Sequence, residues 1–321
     1  MTHTVVSLGG PMAPEGEKIL RDAGLDVVST DPYPAKDAVK ALLVKTQASA
    51  IVVRLIERVD EDIMKATPSL KVIAKHGAGT NDIDVAAAKS LGIPVLAAVG
   101  ANAHSVAEHA LAMILALAKD LRNQDAYVRA GGWDKKNYVG FELRGRRLGL
   151  IGLGMIGRYL AGFVQPLGMN VQAYDPFAGD DAFEAGIDRA TTIDDLLAQS
   201  DIVSLHCPLT RETEGLIGER QFGLMKPGAI LVNTARGEVV DEAALLAALR
   251  DGRIAAAGLD SFASEPPAKD NPLWSLPNVL VSPHCAGVTA EARREVSLMT
   301  ARNILDIIRG SEVQRRFLVQ A

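Results

Sequence analysis

Residues 147–160 read RLGLIGLGMIGRYL. Strand-forming residues pass through three glycines into a helical pattern. Gly152, Gly154 and Gly157 hold the first, third and sixth places of that turn. The spacing alone is common. Directly after a strand and at the opening of a helix, it describes a phosphate-binding turn. Gly152 permits the tight turn, Gly154 lets the backbone approach a pyrophosphate, and Gly157 lets the helix pack closely on the strand. Free N–H groups and the dipole at a helix start favour the negative charge. Asp175 ends the next strand, in VQAYDP, about 20 residues on. A carboxylate there can accept hydrogen bonds from ribose hydroxyls and would repel a 2′-phosphate. Pro176 and Phe177 follow it, with no arginine, so NAD is expected rather than NADP.

Outward from this turn, the chain alternates short β-branched runs with helical stretches. HTVVSL, DVVST, AIVVR, KVIAKHG and IPVLAAV precede residue 100, with helices of about ten residues between them. Gly24 and Gly92 stand where helices should stop. A long helix is expected from about Ser105 to Ala130, after which the alternation restarts. RRLGLIG, NVQAYD, DIVSLHC, AILVNTA, IAAAGLD and NVLVSPH are the later strands, and a last helix is expected over 291–310. The pattern predicts an α/β chain with two doubly wound parallel sheets, each flanked by helices.

Three stretches just past predicted strand ends carry candidate chemistry, since open α/β sheets place ligands there. In NTARG, residues 233–237, Arg236 offers a planar fork matched to a carboxylate; a surface ion pair is its plainer reading. In GLDSFASEPP, residues 258–267, Glu265 sits in a loop stiffened by two prolines; alone it reads as a solvated acid. In VSPHCAG, residues 281–287, His284 can lend and recover a proton near neutral pH. Together, Glu265 would orient the ring and favour its protonated form, His284 would protonate a carbonyl oxygen as hydride reaches carbon, and Arg236 would hold the adjacent carboxylate. The reaction class is reversible hydride transfer between NAD(H) and a small 2-oxo or 2-hydroxy acid.

Composition narrows the classes. With 34 basic against 39 acidic residues and a formal charge of −5, no basic surplus supports nucleic-acid or anionic-membrane binding. The longest apolar run, ALAMILALA at 110–118, is too short to cross a bilayer, which needs about 20 residues. MTHTVVSLGG lacks the basic start and apolar core of a signal peptide, and two cysteines fit a reducing compartment, so a cytoplasmic protein is expected. His104 and Glu108 lie one helical turn apart beside His109, but the order is not that of a zinc helix; no metal is expected.

The whole set resembles the D-isomer-specific 2-hydroxyacid dehydrogenase family. GLGMIG with Asp175, CPLT at 207–210, NTARG, Asp260 to Glu265 with its EPP, NPLWSLPNV and SPHCAG take part in that order, and so do the upstream AGTNDID and NAHSVAEHALAMILALA. The resemblance covers essentially the full length. It implies Arg236, Glu265 and His284 as catalytic residues. It implies cofactor contacts from Gly152, Gly154, Met155, Ile156, Gly157, Asp175, Cys207, Thr234, Ala235, Asp260 and Gly287. It further implies two Rossmann-like domains, a flavodoxin-like substrate domain from 1–100 and 290–321 and an NAD-binding domain over 101–289, and a homodimer joined through the latter. Arg54, His76, Gly77 and Ala78, with Arg236 and His284, would touch substrate. Arg54, His76 and Lys75 could supply charge for a second anionic group, although a solvated Lys75 is the plainer expectation. His76 departs from the residue more usual before the family's Gly-x-Gly turn. Phosphoglycerate dehydrogenase-like members are the nearest in appearance. A hydroxypyruvate or glyoxylate reductase, another small-anion dehydrogenase of the fold, and an NADH-sensing corepressor-like protein remain alternatives. No appended regulatory module is expected after the last helix.

Overall fold

The computed structural model describes residues 3–184 and 186–319. The chain divides into two compact units, one holding residues up to Asn102 and from Val288 onward, the other Ala103–Gly287.

In the first unit, β1 (Thr4–Leu8), α1 (Pro14–Asp22), β2 (Asp26–Ser29), α2 (Lys36–Thr46), β3 (Ala50–Val53), α3 (Glu61–Lys65), β4 (Val72–Lys75), α4 (Val85–Ser90) and β5 (Val95–Ala97) alternate. The sheet order is β2-β1-β3-β4-β5, all parallel. That is the flavodoxin-like order. Parallel strands are buried on both faces, so their sequences read as unbroken apolar runs. Along β1, Val6 and Leu8 enter one core and Val5 the opposite one. Gly24 and Gly92 end α1 and α4 at positive φ. The side chains of Asp60 and Asp84 cap α3 and α4 by accepting from Ile63 N and Ala87 N. The last helix of the chain, α11 (Ala290–Arg309), packs on α1 in this unit.

The second unit begins with α5 (Ala103–Ala118) and α6 (Leu121–Arg129). One continuous helix over 105–130 was expected; the chain breaks instead at Asp120, which takes a left-handed conformation (φ 48°). The cause is tertiary. Asp120 accepts from Asn123 Nδ2 at 2.6 Å and Gln124 Nε2 at 3.1 Å. Arg122 and Asn123 donate to the carbonyls of Val279 and Pro277.

The unit continues with β6 (Arg147–Ile151), α7 (Met155–Val164), β7 (Asn170–Tyr174), β8 (Ile187–Arg189), α8 (Ile193–Gln199), β9 (Ile202–Leu205), α9 (Glu219–Leu224), β10 (Ile230–Asn233), α10 (Glu242–Arg250), β11 (Ala256–Leu259) and β12 (Val279–Val281). Its parallel sheet runs β12-β11-β10-β9-β6-β7-β8. The strand order reverses between β6 and β9, the switch point where such sheets bind ligands beyond their carboxyl ends. Leu148 and Leu150 of β6 fill the core on one face and Ile151 that on the other. Gly149 leaves room for α8: a Cβ there would lie 2.1 Å from Ser200 Oγ and 2.6 Å from a Leu196 methyl. The strand expected to run as far as His284 stops at Val281. Pro283 cannot donate to a ladder, and β12 is an edge strand with Val281 exposed. Among the described residues no helix is long and apolar enough to cross a membrane.

Candidate active site

The turn after β6 is closed by contacts that only glycine permits. Gly152 has φ 97°, and a Cβ there would lie 2.7 Å from the His206 carbonyl carbon and 2.8 Å from Cys207 N. A Cβ on Gly157 would lie 2.6 Å from Gly152 O, so α7 sits hard against the turn. At Gly154, by contrast, nothing lies within 4 Å of the Cβ position. That glycine is also the N-cap and brings no side-chain cap, so the first N–H groups of α7, from Met155 and Ile156, are left for a ligand. Asp175 follows β7. Its Oδ2 accepts from Leu153 N at 2.8 Å and its Oδ1 from Phe177 N at 2.9 Å. It thereby braces the turn, and each oxygen keeps a lone pair for a ribose hydroxyl.

The neighbouring strand ends add a buried lining. His206 is partly buried, with its Nδ1 enclosed; burial draws its ring down to about 4, and its Nε2 meets Ser204 Oγ at 2.9 Å. Burial pushes the Cys207 thiol up to about 11, so this residue offers its backbone rather than a thiolate. The hydroxyl of Thr234, next to Ala235, is buried without a hydrogen-bond partner. An orphaned hydroxyl at a strand end is the kind of group a bound cofactor satisfies. The open ground above Gly154, the free helix start and this hydroxyl fit NAD(H).

The three candidate catalytic residues follow β10, β11 and β12. His284 Nδ1 lies 2.6 Å from Glu265 Oε2, and Glu265 Oε1 accepts from Phe262 N at 3.0 Å. With its Nδ1–H given to the carboxylate, the ring keeps Nε2 for another partner. His284 itself holds φ 49°, an uncommon conformation for a non-glycine residue. Arg236 is half-buried and donates from Nη1 to Ala235 O at 2.7 Å. Its backbone is fixed by Asn233, whose Nδ2 donates to Arg236 O and whose Oδ1 accepts from Ala235 N. The adjoining Gly237 brings this loop onto the one bearing Glu265: a Cβ there would lie 1.8 Å from the Phe262 carbonyl carbon.

Asp260, 1% exposed at the end of β11, explains how the His284 loop is held. Its carboxylate accepts from Ser282 Oγ at 2.5 Å, Cys285 N at 2.9 Å and Ala286 N at 2.8 Å. Gly287 follows directly, partly buried. Sequence reasoning did not find Ser282 or His109 in this group. His109 Nε2 lies 2.9 Å from Ser282 Oγ and 3.8 Å from Asp260 Oδ1. A lone histidine on an apolar helix gives no sign of such a partner. His104 and Glu108, weighed with it as ligands, form a separate exposed pair at 3.4 Å, and His104 packs edge-on against Tyr159 and Phe163. His109, Asp260 and Cys285 do place potential metal-binding atoms within 4.8 Å of one another. The three hydrogen bonds from the loop already engage the Asp260 carboxylate, and burial with the Asp260 charge pushes the Cys285 thiol up, away from the thiolate a metal requires.

In the first unit, His76 follows β4 and donates to or accepts from Ser297 Oγ at 2.8 Å. Burial and the Arg54 charge lower it to about 3. At neutral pH it is therefore uncharged, and the expectation that it supplies positive charge is corrected. Lys75 is corrected too: it is 16% exposed and paired with Asp82 rather than solvated. Arg54 donates to Pro11 O, and burial together with the nearby charge of Arg293 lowers its proton affinity. Gly77 and the exposed Ala78 continue the turn after His76, with Gly77 O accepting from Ala98 N.

Known proteins share this arrangement of sequence. The chain is 41% identical over 96% of its length to a D-3-phosphoglycerate dehydrogenase of Archaeoglobus fulgidus, of which it covers 58%. It thus spans a little over half the length of that longer relative. It is 38% identical over 82% of its length to a glyoxylate reductase of Thermococcus litoralis, covering 82% of that protein. Among solved structures, a glyoxylate reductase from Paecilomyes thermophila superposes with a TM-score of 0.87 at 28% identity, covering 99% of this chain and 98% of the other. A D-lactate dehydrogenase with NAD+ from Lactobacillus jensenii gives 0.81 at 29%, covering 99% and 100%. Residues 111–286, which hold the glycine turn, Asp175, Arg236, Glu265 and His284, match the family described as "D-isomer specific 2-hydroxyacid dehydrogenase, NAD binding domain", and the chain belongs to that family.

Proposed function

We propose that the protein is an NAD-dependent D-2-hydroxyacid dehydrogenase that interconverts a small 2-oxo acid and its D-2-hydroxy acid. The observation that supports it most is the Glu265–His284 contact at 2.6 Å, which leaves Nε2 of an exposed ring free to exchange a proton with substrate. Bound NADH supplies the hydride. His284 Nε2–H protonates the carbonyl oxygen as the carbon is reduced, and in the reverse direction removes the hydroxyl proton. Glu265 accepts from Nδ1–H and fixes the orientation of the ring. Arg236 pairs with the substrate carboxylate through its guanidinium, and its charge polarises the adjacent carbonyl.

A phosphoglycerate-like substrate, with a second anionic group, is favoured by Arg54 and Arg293 in the first unit, the substrate-binding part of this reading. These like charges lie near enough to disfavour each other, and an anion would relieve that repulsion. The charges of Arg54 and Arg293 both act on His76, which with Gly77 and Ala78 completes the proposed contacts of this unit. A glyoxylate or hydroxypyruvate reductase is the second reading, because the chain is also 38% identical, over 82% of its length, to the glyoxylate reductase of Thermococcus litoralis.

We further propose a homodimer through α6 and the segment after it, where Leu121, Val128, Trp133 and Val139 are exposed. Exposed apolar groups this dense mark an interaction surface. The two cysteines are free, which agrees with a cytoplasmic setting.

The test is NADH oxidation against phosphohydroxypyruvate, sulfopyruvate, hydroxypyruvate, glyoxylate and pyruvate. Strong preference for the first two supports the second-anion reading; turnover of hydroxypyruvate or glyoxylate alone supports the reductase. His284→Ala is expected to lower kcat at least about a hundredfold while NADH binding persists. Full activity in that variant would sink the mechanism, and tight NADH binding without turnover of any acid would favour a sensor.

A further inference from the structure

We propose that His109 is a positioning residue for the proton-transferring loop, acting through Ser282 and Asp260. The inference rests on His284 as the proton donor. Asp260 grips that loop on both sides of His284: Ser282 Oγ donates to it before the histidine, and the N–H groups of Cys285 and Ala286 donate after it. Both Asp260 oxygens already accept main-chain N–H groups, Oδ1 from Cys285 and Oδ2 from Ala286, so Oδ1 faces Ser282 as an acceptor as well. The Ser282 proton is therefore committed to Asp260 Oδ1. Ser282 Oγ can then only accept from His109, which fixes the tautomer: His109 carries its proton on Nε2 and donates to the serine at 2.9 Å.

The chain of donors runs from α5 to β11 through a loop residue two places from His284. A serine hydroxyl can turn to any of three staggered positions. The His109 donor selects the one that points at Asp260. Donation into Ser282 Oγ also polarises the hydroxyl and strengthens its bond to the carboxylate. Without it, the serine is free to leave Asp260, and the support of the strained His284 backbone (φ 49°) falls to the two main-chain donors alone. The loop would loosen by a fraction of an ångström, which is enough to slow a proton transfer that requires hydrogen-bond contact.

Three variants and their combination test the inference in the full-length protein. His109→Leu removes the donor. His109→Gln restores an N–H near the Nε2 position. Ser282→Ala removes the middle of the chain. With the 2-oxo acid that gives the highest turnover, His109→Leu is expected to lower kcat roughly tenfold. The NADH dissociation constant, read by nucleotide fluorescence, should stay within twofold. His109→Gln should recover most of the rate. Ser282→Ala should show the same loss, and the double variant no more than either single one. Wild-type kcat in His109→Leu would overturn the inference, as would a glutamine no better than leucine, or additive losses in the double variant. Should leucine at 109 prevent folding, the glutamine and Ser282→Ala arms still decide. His284→Ala keeps the two readings apart: if it is inactive while His109→Leu is unaffected, only the positioning role fails; if it remains active, the proton-donor reading fails with it.

Discussion

At the scale of single residues, His206 and His284 show how surroundings assign work to one side chain. His284 stands in an exposed turn against a carboxylate, whereas His206 is partly buried just after β9 with Ser204 as its partner. Burial lowers the His206 ring to about 4. A histidine held neutral in the fold takes up its proton more readily when unfolded. The stability it allows is thus complete above the unfolded value near 6.5 and is lost as pH falls towards about 4. From pH 8 to pH 5 the loss is about 2 kcal/mol from this one residue. Urea unfolding at the two pH values should show it in the second unit, and His206→Gln should shrink the difference. An unchanged pH dependence in that variant would refute the assignment. In the sequence His206 shows only as part of the strand run DIVSLHC. Its backbone lies against Gly152, whose Cβ position would be 2.7 Å from the His206 carbonyl carbon, a contact between segments more than fifty residues apart.

At the scale of elements, the glycine turn is the most legible part of the chain, because a short local spacing sets its geometry. Gly157→Val tests it. The added side chain would begin 2.6 Å from a backbone oxygen, which cannot move aside as a flexible side chain can. The expected result is a destabilisation of about 1–3 kcal/mol and at least about tenfold weaker NADH binding by calorimetry. Wild-type affinity would mean that α7 does not need its close seat. Other elements were less legible. The break between α5 and α6 carries no proline or glycine; it arises from Asp120 caps and from donors reaching Val279 and Pro277, far along the chain. The three-residue strand β8 (Ile187–Arg189) is too short to show a period, and it exists by pairing with β7 at the sheet edge. The end of β12 at Val281 follows from Pro283, a residue visible in the sequence but not weighed there.

At the scale of the whole molecule, the proposed dimer makes a direct prediction. Sedimentation velocity should give a species of twice the 34.0 kDa chain mass, and replacing Trp133 and Val139, 84% and 89% exposed, by charged residues should give the monomer. A monomeric parent protein at micromolar concentration would refute this surface as a self-interface. The sequence by itself determined the two-sheet α/β class, the cofactor turn and the three residues at strand ends, because those features are written in local period and spacing. Tertiary structure alone decided the charges and partners. It made His76 neutral by burial, paired Lys75 with Asp82, and brought His109 to Ser282 across 173 residues. Hydrogen bonding and desolvation depend on what lies within a few ångströms, and for these residues those neighbours come from distant parts of the chain.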